Sequence, residues 1–140
     1  MEVFFSTDKS LLNVERIHQY ISSVSYWGRG RTLDEVKMTI KNSLCFGMYN
    51  ASNEQIGFAR MVTDHVAFGY FMDVIIFDGY QGMGHGTKLM EYIMGHEVVK
   101  NLKTIALKTK DAHELYEKFN FKSIGDSRLW MANDKLKLIE

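Results

Sequence analysis

A chain of 140 residues has the length of one domain, able to bury about two-thirds of its unfolded surface without disulfide or metal staples. Lys plus Arg number 17 and Asp plus Glu also 17, so no global basic field exists to hold nucleic acid, and Arg29-Gly30-Arg31 is the one compact basic patch. No apolar run reaches the roughly 20 residues of a membrane helix, and a single cysteine excludes an internal disulfide. The N-terminal Met1-Glu2-Val3-Phe4-Phe5-Ser6 lacks the basic start and long apolar stretch of a signal peptide, which predicts a cytoplasmic protein.

With no proline, glycines and short polar clusters punctuate the chain, and no linker or repeat interrupts it, so residues 1–140 are expected to form a single domain. A short strand near Val3-Phe4-Phe5 precedes Leu11, Leu12, Val14, Ile17, Ile21 and Val24 at helical spacing, with Ser10 as the expected cap. Thr32-Leu33-Asp34-Glu35 is a capping box that should open a second helix through Val36 and Ile40. Residues 44–49 and 55–62, separated by Asn50-Ala51-Ser52-Asn53-Glu54, read as a hairpin, in which Cys45 between Leu44 and Phe46 is a buried strand thiol. A third strand over 67–77 ends in Val74-Ile75-Ile76-Phe77, an apolar run suited to burial on both faces. Beyond it, a helix over 86–99 carries the stripe Leu89, Met90, Ile93 and Met94, and 104–107 reads as a strand parallel to the one before the helix. A helix over 111–119 should stop at a left-handed Asn120, and short strands near 121–123 and 129–131 should complete the sheet. The fold class is α+β, a mixed and mostly antiparallel sheet flanked by about four helices.

Between the buried strand and the next helix lies Gln81-Gly82-Met83-Gly84-His85-Gly86-Thr87-Lys88. Closely spaced glycines let backbone N–H groups converge at a helix N-terminus, which suits a pyrophosphate; the same glycines also suit a plain tight connection. The ATP-binding loop does not fit, because His85 stands where lysine is needed after Gly84, and the dinucleotide fingerprint does not fit, because Thr87 stands where its last glycine belongs.

Asp73-Val74-Ile75-Ile76, four residues, then Gln81-Gly82-Met83-Gly84-His85-Gly86 resembles motif A of the GCN5-related N-acetyltransferase (GNAT) superfamily, Q/R-x-x-G-x-G/A. Ala112-His113-Glu114-Leu115-Tyr116-Glu117-Lys118-Phe119-Asn120-Phe121 is similar to the second signature of that family. The resemblance covers nearly the whole chain. It implies a splayed parallel strand pair that holds acetyl-CoA as acyl donor, with the backbone of Val74, Ile75 and Ile76 along its pantetheine arm. Gln81, Gly82, Met83, Gly84, His85 and Gly86 would hold the pyrophosphate, with Thr87 and Lys88 beside it. Gln81 replaces the commoner arginine, Asn120 the usual glycine, and Thr109 stands where an asparagine often bonds the cofactor.

Amide formation from a thioester needs a neutral amine, a held oxyanion and a proton for the departing thiolate. Tyr116 aligns with the family's tyrosine at the CoA sulfur and is the expected general acid; the alternative is that it only packs a helix against the sheet. An N–H near Val74 or Ile75 would hold the oxyanion. Asp73, Asp64 and His65 are candidate bases, with water as the alternative. The link Ser25-Tyr26-Trp27-Gly28-Arg29-Gly30-Arg31 should shape the acceptor site through Tyr26, Trp27, Arg29 and Arg31, unless the aromatics pack beneath the loop. No metal is expected, because His18, His96 and His113 lack the spacing of ligands. The expected activity is N-acetylation of a primary amine on a small molecule or peptide; the alternative is a non-catalytic acyl-CoA-binding module or sensor. Neither nucleic acid nor membrane is an expected partner; the resemblance implies that a homodimer could form through late strands, with the apolar Leu129-Trp130-Met131 as its surface or, equally, as part of the core.

Overall fold

Alternating apolar side chains along successive strands build a five-stranded sheet: β1 (Val3–Ser6), β2 (Leu44–Asn50), β3 (Gln55–Thr63), β4 (Phe68–Ile76) and β5 (Thr104–Ala106). They lie in the order β1-β2-β3-β4-β5, antiparallel except for the parallel β4–β5 pair, so the α+β expectation holds. The computed structural model describes residues 2–125 and 127–135, which fall into two units, Met1–Lys108 and Thr109–Glu140.

In the first unit, α1 (Val14–Ser23) starts later than the sequence suggests. Asp8 accepts the N–H and hydroxyl of Ser10 and caps a 3-10 turn, Lys9–Leu11; Leu12 is extended, and Asn13 caps α1 by accepting from the Arg16 N–H. Ser10 is drawn into this 3-10 turn, and Asn13, adjacent to the first helical turn, takes the capping position instead. The capping box forms at α2 (Leu33–Lys41), with Thr32 and Glu35 bonded reciprocally. The single helix expected over 86–99 is instead α3 (His85–Met94) and α4 (Glu97–Lys100). Gly95 ends the first, and the His96 imidazole accepts from the Val98 N–H to start the second.

Ile17 and Ile21 of α1 and Val36 and Ile40 of α2 pack with Cys45, Phe58 and Ile75 on one face of the sheet. Phe46, the neighbour of Cys45, points to the other face and meets Tyr92 and His96 edge-on. Leu89, Met90 and Ile93 are fully buried from α3, so the two helix pairs sandwich the sheet. Among the described residues, no helix is long and apolar enough to cross a membrane.

The second unit carries α5 (His113–Glu117), shorter than expected, followed by Asn120 at the left-handed φ of 70°. The strands expected near 121–123 and 129–131 do not form. The Phe121 N–H donates to the Tyr116 carbonyl and so closes the helix instead of joining a ladder. Leu129 and Met131 are 92% and 95% exposed, leaving no buried face to stabilise a strand.

Candidate functional site

The ladder between β4 and β5 holds three pairs, Phe68↔Thr104, Gly69↔Ile105 and Tyr70↔Ala106, while β4 runs on to Ile76. The two strands therefore part company along the second half of β4. On its other side β4 is bulged: Phe58 pairs with Ile75 but Arg60 pairs with Met72, so Asp73 and Val74 stand opposite Ala59 alone. Asp73 takes a left-handed φ of 53°, a conformation aspartate tolerates better than most residues. Ile75 then buries toward α1 and α2, whereas Val74 and Ile76 remain half-buried.

The bulge carries a buried charge cluster. Asp73, whose side chain is fully buried, accepts from Trp27 Nε1 at 2.7 Å on Oδ1. Its Oδ2 accepts from Arg31 Nη1 at 2.7 Å and from Arg60 Nε at 2.6 Å. Arg60 also donates to Ser43 Oγ and to Met72 Sδ. Asp73, nominated as a base, thus has both oxygens engaged by cationic or indole donors, a geometry suited to holding structure and poorly suited to taking a substrate proton. Arg60 and Ser43 belong to no motif of the sequence. A lone arginine within Ile56-Gly57-Phe58-Ala59-Arg60-Met61-Val62, facing a lone acid in the next strand, is the signal that would have found the pair.

Two of the nominated acceptor residues, Trp27 and Arg31, therefore lie on this cluster. Their loop is tied throughout: the Ser25 hydroxyl donates to the Ile21 carbonyl and accepts from the Gly28 N–H, and the Arg31 N–H donates to the Gly28 carbonyl. A Cβ on Gly28 would come within 2.4 Å of Ile21 Cγ2 and 3.2 Å of Arg31 Nη2, so glycine is needed for the close approach. Tyr26 meets Trp27 edge-on at 5.1 Å, and Arg29 is exposed.

Past β4 the glycine turn adopts an open, left-handed course. Gly79, Gly82 and Gly84 have φ of 90°, 77° and 80°, and among the described residues nothing lies within 4 Å of where their Cβ atoms would be. Here glycine serves backbone conformation rather than packing. Gly84 is the N-cap of α3 and supplies no side-chain cap, leaving the first-turn N–H groups of a ten-residue helix for an anion. Gln81 Nε2 donates to the Ile76 carbonyl at 2.8 Å and so clips the turn to the end of β4. Met83 and Lys88 are exposed, and Gly86 and Thr87 are half-buried. His85 differs: its ring is buried, 3% exposed, and among the described residues neither nitrogen has a hydrogen-bond partner. Burial, aided by Lys88, pushes it below the ordinary imidazole range.

The other nominated groups fall elsewhere. Asp64 caps the β3–β4 turn, accepting from the N–H groups of Val66, Ala67 and Phe68, which hold its carboxyl below the usual carboxylate range; His65 sits in that turn with a φ of 70°. Burial pushes the Cys45 thiol up to about 11, in keeping with a packed, unreactive side chain. In the second unit, Thr109 Oγ1 accepts from the Ala112 N–H, and Tyr116 is buried, edge-on to Phe121 at 6.0 Å. Among the described residues, no group of three or more His, Cys, Asp or Glu gathers as a metal site.

Comparison with known proteins places the whole fold in a family. A family model described as an acetyltransferase (GNAT) domain matches residues 41–123. A candidate acetyltransferase of Gibberella zeae is 31% identical over 134 residues, covering 81% of this chain and 75% of its own length. An uncharacterised N-acetyltransferase of Pyropia yezoensis is 27% identical over 125 residues, covering 86% of this chain and 70% of that one. The crystal structure of a candidate GNAT-family acetyltransferase from Xanthomonas campestris pv. campestris matches with a TM-score of 0.91 and 33% identity over 99% of this chain and 96% of that one. The chain belongs to the GNAT acetyltransferase family.

Proposed function

We propose that the protein, acting as one domain over 1–140, is an acyl-CoA-dependent N-acetyltransferase that moves acetyl from acetyl-CoA directly to a primary amine of a small molecule or peptide. The observation that carries this reading is the far half of β4, parted from β5, bulged at Asp73, and followed at once by the open glycine turn and the uncapped start of α3. That sequence of features fits an elongated ligand with an anionic diphosphate at one end.

Acetyl-CoA supplies an activated thioester carbonyl. In this reading the backbone of Val74, Ile75 and Ile76 binds its extended arm, and the N–H groups from Gly82 to Gly86, with the Thr87 hydroxyl, receive the diphosphate. Gln81 contributes by holding the turn to Ile76, and Met83 and His85 contribute through their backbone. A backbone N–H at the bulge, from Val74 or Ile75, faces the developing oxyanion. Thr109 keeps its hydroxyl hydrogen for the cofactor while its oxygen accepts from Ala112. Tyr116, carried over from the family's second signature, protonates the departing thiolate; a phenol near pKa 10 and a thiol near 8.5 are close enough for that transfer. Asp73 keeps the bulge in place, and the amine's proton leaves through water. The exposed Leu129, Trp130 and Met131 support a homodimer, and a cytoplasmic location belongs to the same reading.

Tyr116→Phe tests the chemistry. Its turnover should fall by about 10²-fold or more, within the range for general acid catalysis, with acetyl-CoA affinity retained. Unchanged turnover would remove Tyr116 from the mechanism. A parent protein that binds acetyl-CoA yet acetylates no amine would be the acyl-CoA-binding module instead.

A further inference from the structure

The buried cluster on the bulge is unbalanced: two guanidinium groups, Arg31 and Arg60, share the single carboxylate of Asp73. Arg60 is enclosed, its side chain 6% exposed, and places its remaining bonds on Ser43 and Met72. Arg31 differs. Its side chain is 16% exposed and makes one side-chain hydrogen bond among the described residues, through Nη1. A guanidinium has five N–H donors, so an edge of Arg31 is left to bind something else. Glu35 is near enough to feel Arg31's charge, but it is exposed and directs Oε1 to the Thr32 N–H in the capping box, with no ion pair to Arg31.

The spare edge is also held still. His18 Nε2 lies 3.0 Å from the Arg31 carbonyl oxygen, the Arg31 N–H is bonded to Gly28, and the missing side chain of Gly28 leaves room for the guanidinium, whose Nη2 and Cζ would lie 3.2 and 3.3 Å from a Cβ there. A fixed, partly desolvated guanidinium loses little entropy on binding a second anion. Because its partner Asp73 directly precedes Val74, that anion would sit beside the strand segment read above as holding the acyl donor.

Resting on that reading, we propose that the amine acceptor carries an anionic group, a carboxylate or a phosphate, seated on the free edge of Arg31. Two ends of one small molecule would thus be recognised: the anion by Arg31, and the amine by its approach to the bulge.

The test uses the full chain, acetyl-CoA, and matched linear amines of three to six carbons ending in a carboxylate, a phosphate or a neutral carboxamide. Released CoA is followed with a thiol reagent, to which buried Cys45 contributes little background. The carboxylate or the phosphate series should exceed its carboxamide in kcat/KM by about tenfold or more, the loss expected when a charged hydrogen-bond partner is removed; whichever series wins names the anion. Arg31→Gln should erase the preference while acetyl-CoA still raises the melting temperature, and Arg31→Lys should restore part of it. Equal use of carboxamides, a preference that survives Arg31→Gln, or no reaction with any anionic amine overturns the proposal. The unmutated panel decides the matter even if a variant does not fold. Acetyl-CoA that fails to stabilise the parent protein removes the acetyltransferase reading itself, and this inference with it.

Discussion

Replacing Asp73 by asparagine would strip the negative charge from between two guanidiniums while disturbing little else. Asparagine accepts the left-handed φ of 53° as readily as aspartate, so the bulge itself is not penalised. What changes is electrostatic: Arg60, 6% exposed, and Arg31, 16% exposed, would face one another across a neutral amide. Breaking a buried ion pair by removing one partner costs about 3–5 kcal/mol, a large fraction of the 5–15 kcal/mol that typical domains have. At roughly 3 °C per kcal/mol for a chain of this length, the melting temperature should fall by about 10–15 °C. Thermal unfolding would measure that fall, and urea unfolding followed by circular dichroism and by tryptophan fluorescence the free energy itself. Added salt should restore little of the loss, because buried charges are weakly screened. A drop below about 1 kcal/mol, or one reversed by salt, would show that the cluster is solvated and does not tie the loop to the strand.

Other consequences follow from the same geometry. His85 is buried without partners and pushed below the ordinary imidazole range, so the unfolded chain holds more protons as pH falls. Stability should therefore decline as pH drops through about 6.5, the unfolded value, and His85→Leu should flatten that acid limb; an unchanged slope would contradict it. The Cys45 thiol, pushed up to about 11 by burial, should resist alkylation at pH 8 in the native protein and react on unfolding; rapid native labelling would show an open site. Gly84→Ala places a Cβ in open space but at a φ of 80°, so it should cost about 1–2 kcal/mol and weaken acetyl-CoA binding, with Gly84→Asn milder. Equal effects of the two would point to sterics instead.

Much of this arrangement was legible because it is local. The capping box of Thr32 and Glu35, the strand before the glycine turn, and the left-handed Asn120 each depend on residues a few positions apart. Boundaries differ where a neighbour competes: Asp8 caps a 3-10 turn that takes in Ser10 and leaves Asn13 to cap α1, and Gly95 with His96 breaks one expected helix into α3 and α4. The strands expected at 121–123 and 129–131 are absent because Phe121 packs on Tyr116 and closes the helix, while Leu129 and Met131 stay exposed. Least legible was the charge cluster. Asp73's partners lie 46, 42 and 13 residues away, and only the register of β3 against β4, together with the folding of the loop, brings them to one carboxylate. Taken singly, Trp27, Arg31 and Asp73 each read as candidates for chemistry, whereas the fold pairs both loop residues with the Asp73 carboxylate at the bulge.

The most direct test is thermal unfolding of the intact protein alone and with acetyl-CoA, ATP or NAD. Acetyl-CoA at about 100 times its dissociation constant should add roughly 2.7 kcal/mol, while the two nucleotides add little. Stabilisation by ATP or NAD but not by acetyl-CoA would contradict the assignment of β4 and the glycine turn to an acyl-CoA.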